Sequence, residues 1–163
     1  MTVISSHKDP EALTLTFVAE FEAPVESVWQ MWADPRQLER WWGPPTWPAT
    51  FTQHELTPGA ESRYYMSGPE GEKAPGWWRV KTVDAPDGLT YEDGFSLDDG
   101  TPNPDMPVTQ VRVSLEPAGD GVTRMTIVTS YESLDQLEQL IAMGMEEGMR
   151  QALGQIDALL AAA

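Results

Sequence analysis

The chain contains no cysteine, which excludes disulfides, thiol nucleophiles and Cys-ligated zinc or iron–sulfur centres. Its two histidines, His7 and His54, are too few for a His-rich metal site. Basic residues are also scarce: 10 Lys+Arg against 26 Asp+Glu in 163 residues leave a net charge of −16. Nucleic acids and anionic membrane surfaces both require clustered Lys and Arg, so the balance argues against either partner. No apolar run approaches the roughly 18 residues that span a bilayer. The polar start, Met1 to Pro10, lacks the apolar centre of a signal peptide, so a cytoplasmic protein is expected. Also missing are a Gly-x-Ser-x-Gly elbow, a phosphate loop and a dinucleotide fingerprint. Asp98-Asp99-Gly100 lacks the alternating ligands of a calcium loop. No metal and no cofactor is expected.

What is plentiful is tryptophan and methionine, seven and eight residues respectively. The length suits one domain. We expect residues 1–12 to form a flexible leader and residues 13–163 a single domain. Leu13, Leu15, Phe17, Ala19 and Phe21 alternate with mostly polar neighbours, the period of a half-buried strand. Pro24 then opens a short helix whose apolar face carries Val25, Val28, Trp29 and Trp32. Asp34-Pro35 starts a second short helix, which runs through Leu38, Trp41 and Trp42 to Gly43-Pro44-Pro45. Six β-like stretches follow, between Ala49 and Tyr131, broken by short turns such as Pro58-Gly59, Pro86-Asp87-Gly88 and Gly119-Asp120-Gly121. Connections this short favour antiparallel neighbours. Ser133 and Gln136 form a capping box ahead of one long helix, expected to reach Leu160, with apolar residues at three- and four-residue steps.

In order along the chain, Ala23-Pro24, Asp34-Pro35, Trp41-Trp42-Gly43-Pro44, Pro58-Gly59 with Arg63-Tyr64, Gly121 to Thr126 and Gly144 to Met149 resemble one known pattern. It is that of the Activator of Hsp90 ATPase homologue 1-like family, within the START-like (SRPBCC, polyketide cyclase-like) superfamily. The resemblance implies an α+β helix-grip fold. A curved antiparallel sheet of about seven strands would surround the long C-terminal helix, with two short helices after strand 1 closing a cavity. It also implies one of three roles: a binder of small hydrophobic molecules, a cyclase or aromatase-like enzyme, or a chaperone-associated interaction protein.

Candidate pocket residues are Trp32, Trp41, Trp42, Tyr64, Met66, Trp78, Tyr91, Phe95, Met145, Gly148 and Met149. Tryptophan offers a large flat apolar body with one N–H donor, and methionine adapts to irregular shapes, so together they suit a small apolar or aromatic ligand. The same residues would equally make a filled aromatic core. Gly144 and Gly148, one turn apart on the last helix, each cost about 1 kcal/mol relative to Ala there. Either the sheet backbone comes close or room is left for a ligand. His54 is the weak candidate for a catalytic acid or base, against the alternative of a hydrogen-bonded structural histidine. Exposed Trp47 or Trp77 could mark a homodimer patch.

Overall fold

The computed structural model describes residues 3–162. Eight strands form one antiparallel sheet in the order β1-β2-β8-β7-β6-β5-β4-β3. The first two are β1 (Val3–Asp9) and β2 (Thr14–Phe21). Between β2 and the far edge lie two short helices, α1 (Val25–Ala33) and α2 (Pro35–Trp41). A meander follows: β3 (Ala49–Gln53), β4 (Glu61–Ser67), β5 (Lys73–Asp84), β6 (Gly88–Phe95), β7 (Thr109–Gly119) and β8 (Val122–Ser130). The C-terminal helical region is divided into α3 (Leu134–Ala142), α4 (Met145–Leu153) and α5 (Ile156–Ala162). This is the helix-grip arrangement.

Alternation decides which sheet face is covered. In β2, Leu15, Phe17, Ala19 and Phe21 are buried, and in β7 Thr109, Val111, Val113 and Leu115 are buried. The intervening residues Gln110, Arg112 and Ser114 stay exposed, so the outer face is wet. Exposed pairs such as Arg79–Glu61 and Lys81–Glu92 decorate that face and contribute little to stability. Helix starts follow their caps. The Asp34 carboxylate accepts from the Arg36 amide at 2.9 Å with Pro35 at the first helical position, and Ser133 Oγ accepts from the Gln136 amide at 3.1 Å.

Three expectations are corrected. Residues 3–9 are not a loose leader; they pair with β2 in register from Val3–Glu20 to Asp9–Thr14, which makes eight strands instead of seven. The last helix is interrupted twice. Gly144 adopts φ +91°, a left-handed conformation that a helix cannot continue through, and Gly154 caps the end of α4. Trp77, read as exposed, is 9% exposed: its ring covers Gly94 on the outer face, and its indole N–H donates to the Phe95 carbonyl at 3.1 Å.

Candidate functional site

Between the covered face of the sheet and the helices α3 and α4 lies a cavity of about 540 Å³. Its floor comes from β4, β5, β6, β7 and β8, which contribute Tyr64, Met66, Ala74, Pro75, Tyr91, Phe95, Val111 and Ile127 among others. Leu140, Met145, Met149 and Ala152 close it from the helical side, and Trp42, Gly43, Pro44 and Trp47 flank one end. A sealed void of this size would cost about 13 kcal/mol at about 24 cal/mol per Å³, as much as the whole stability of a typical domain. It is therefore no packing defect; it is a concave site open at its rim, within the about 300–1,000 Å³ range of small-molecule pockets.

The two glycines settle their own alternative. A Cβ at Gly144 or Gly148 would meet nothing within 4 Å, so no backbone approaches them closely, and both line the cavity. On a helix that otherwise presents Met145 and Met149, they leave volume that any larger residue would occupy.

Of the predicted pocket residues, the structure brings Trp42, Tyr64, Met66, Tyr91, Phe95, Met145, Gly148 and Met149 to the cavity wall. Trp32, Trp41 and Trp78 are not on it. Each is 0% exposed and packed behind the wall, with Trp32 and Trp41 centroids 4.9 Å apart and Trp78 stacked on Tyr91 at 4.1 Å. Trp42 joins the two zones: it meets Trp78 edge-on at 5.0 Å and Tyr64 at 5.9 Å, and faces the cavity as well. Three of the seven tryptophans thus back the wall, while Trp42 and Trp47 reach the site.

His54 lies away from the cavity. Its Nε2 is 2.7 Å from the Trp32 carbonyl, which can only accept, so Nε2 carries the proton and Nδ1 accepts from the Ser62 hydroxyl at 2.7 Å. Burial lowers its pKa, partly offset by the bond to Trp32. Both nitrogens are committed to holding α1 against β4, so this is a structural histidine.

Among the described residues that line the cavity the acid is Asp93, which the sequence reading did not single out. It shares strand parity with Leu89, Tyr91 and Phe95, so an acid interrupts an otherwise apolar covered face; that parity is the signal that finds it. Asp93 is a half-buried residue of the cavity wall, and burial pushes its pKa up to about 7, against hydrogen bonds from Tyr64 and the Gly94 backbone that lower it. The Tyr64 hydroxyl donates to Asp93 Oδ1 at 3.1 Å across β5. Gly76 makes this crossing possible: a Cβ there would sit 2.5 Å from Tyr64 Cζ. Tyr91 and Tyr131 complete the polar side, their hydroxyls pushed above the ordinary range first by burial and then by the Asp93 charge.

Two side-chain ties fix the helical side. Gln155 Nε2 donates to the carbonyls of Trp41 at 3.2 Å and Gly43 at 2.9 Å, holding the end of α2. On the opposite side, Ser6 of β1 donates to Glu146 Oε2 at 2.7 Å and accepts from Arg150, both on α4.

Residues 22–161 match the family described as Activator of Hsp90 ATPase homolog 1-like protein. The chain belongs to that family. A protein from Arthrobacter aurescens solved by NMR is similar over 99% of this chain and 94% of its own, at 54% identity and TM-score 0.94. Protein Ms6760 from Mycobacterium smegmatis is similar over 100% of this chain and 99% of its own, at 45% identity and TM-score 0.90. DynU16, from the dynemicin biosynthetic locus, shares the fold alone: 22% identity over 91% of this chain and 47% of its own, TM-score 0.63. No curated protein matches the chain. Among the described residues, no helix of this family member is long and apolar enough to cross a membrane.

Proposed function

We propose that this Activator of Hsp90 ATPase homolog 1-like protein binds a small hydrophobic or aromatic molecule between its sheet and its C-terminal helices. The observation that carries the reading is the cavity of about 540 Å³ with Gly144 and Gly148 on its helical wall, where absent side chains leave room inside an aromatic and methionine lining. Membership of a START-like family, a fold that houses ligands, supports it. Titration with a neutral apolar fluorophore such as Nile red tests it. Its emission should rise on binding wild-type protein and not on binding Gly148→Phe. Unchanged dye and tryptophan emission with the wild type would sink the proposal.

A second reading is an enzyme of cyclase type on the same cavity. It needs a proton-transfer group reaching an apolar space, and the Asp93–Tyr64 pair meets that need: a carboxyl that titrates near neutrality suits general acid–base work. An aromatic ketone with exchangeable α-protons should then take up deuterium from solvent faster with wild-type protein than with Asp93→Asn. Equal exchange rates would remove this reading.

A further inference from the structure

Asp93 is the acid of the cavity wall, and among the described residues that line it there is no Lys, Arg or His. The groups that reach its carboxyl are neutral donors, the Tyr64 hydroxyl and the Gly94 amide. An ionised carboxylate can accept about four hydrogen bonds, so the two donors recorded against Asp93, a residue of the cavity wall, leave acceptor capacity over. A carboxylate held in protein without a cation is expensive, and the described residues bring none to this wall. A neutral ligand donor would fill the hydrogen-bonding capacity but leave the charge uncompensated. An anionic ligand would place like charge against Asp93.

We infer that the ligand is a flat apolar molecule carrying one protonated nitrogen, and that Asp93 is the residue that pairs with it. The inference rests on the cavity being a ligand site, as proposed above. Three further features fit. The aromatic residues Trp42, Tyr91, Phe95 and Tyr131 line the cavity, and aromatic rings attract an ammonium or an alkylated amine. The methionines Met66, Met145 and Met149 adapt to an apolar body of irregular outline. The net charge of −16 favours the approach of cations over anions. The groups facing the carboxyl are otherwise uncharged. Tyr64 approaches from β4, Tyr91 lies on the same strand, and Trp78 and Thr109 flank it in register on β5 and β7. Tyr131 follows β8, and the charge of Glu146 on α4 also acts on its hydroxyl.

Calorimetric titration with three probes of one shape tests this: naphthylmethylamine, naphthylmethanol and naphthoate. Wild-type protein should bind the amine about tenfold to a hundredfold more tightly than the alcohol, as expected for a hydrogen bond to a charged group, and naphthoate least well. The amine preference should shrink as pH falls below about 7, where Asp93 becomes protonated, and Asp93→Asn should level the amine and alcohol affinities. Because the pH series uses unaltered protein, it decides the matter even if the variant folds poorly. Equal affinities for amine and alcohol in the wild type, or a preference that persists in Asp93→Asn, would overturn the inference while leaving the cavity a ligand site. Failure of all three probes to bind would remove both.

Discussion

Asp93 makes a prediction about stability that needs no ligand. An unfolded aspartate titrates near 3.8, whereas folding moves Asp93 to about 7. Between those values the native state holds more protons than the unfolded state, so this group makes stability fall as pH rises through the window. At about 1.4 kcal/mol per pH unit, the penalty accumulates to about 4 kcal/mol above pH 7 and vanishes below the unfolded value. This is opposite to the usual paired carboxylate, because burial outweighs the Tyr64 hydrogen bond here. Asp93→Asn is nearly isosteric with the protonated acid and cannot ionise. Urea unfolding of both proteins from pH 4 to pH 9 isolates the effect, since the other acids titrate alike in each and cancel in the difference. The variant should gain on the wild type by about 4 kcal/mol across the window, rising with a slope near 1.4 kcal/mol per pH unit. A difference that stays flat from pH 4 to pH 8 would refute the assignment of a protein-enclosed, unpaired carboxyl at this position.

Three further outcomes follow from the same geometry. Gly148 lies inside α4 with open space at its Cβ, so Gly148→Ala should raise the thermal midpoint, with about 0.5–1 kcal/mol gained from helix propensity and lost chain entropy. Gly76→Ala should cost about 1–3 kcal/mol in urea unfolding and move the Asp93 titration further upward, because the added methyl displaces the Tyr64 hydroxyl; carboxyl-detected NMR titration reads the second effect. His54→Ala should cost about 1–3 kcal/mol by stranding the fully buried Ser62 hydroxyl, yet leave dye binding in the cavity at the wild-type level.

Much of the architecture is legible in the sequence, because the covered sheet face needs apolar residues at period two and the turns need Gly, Pro and Asp. β1 escapes that reading for a physical reason. It is an edge strand paired on one side with β2, and Ser5, Ser6, His7 and Lys8 carry no apolar alternation to betray it. The helix breaks are hidden in the opposite way: the apolar steps through Ile141, Met145 and Met149 run straight across Gly144, and only its backbone angle reveals the interruption. For the site, composition placed tryptophan and methionine near the cavity but could not tell its wall from its backing. Trp42 and Trp78 have the same chemistry, and only the packing separates them. Asp93 was visible to strand parity, as the single acid on the run Leu89, Tyr91, Phe95.

The tie between Ser6 and α4 carries a practical consequence for the handling of this protein. The family match begins at residue 22, yet β1 and β2 precede it, and β2 occupies the slot beside β8 inside the sheet. A fragment trimmed to the matched boundary would lose Leu15, Phe17 and Phe21 from the core and bare the edge of β8. A gentler cut removing only residues 1–9 would spare that core but release Glu146 and Arg150 from their anchor at Ser6. Residues that lie outside the family match thus reach, through Ser6, the helix that carries Met145, Gly148 and Met149 to the cavity wall.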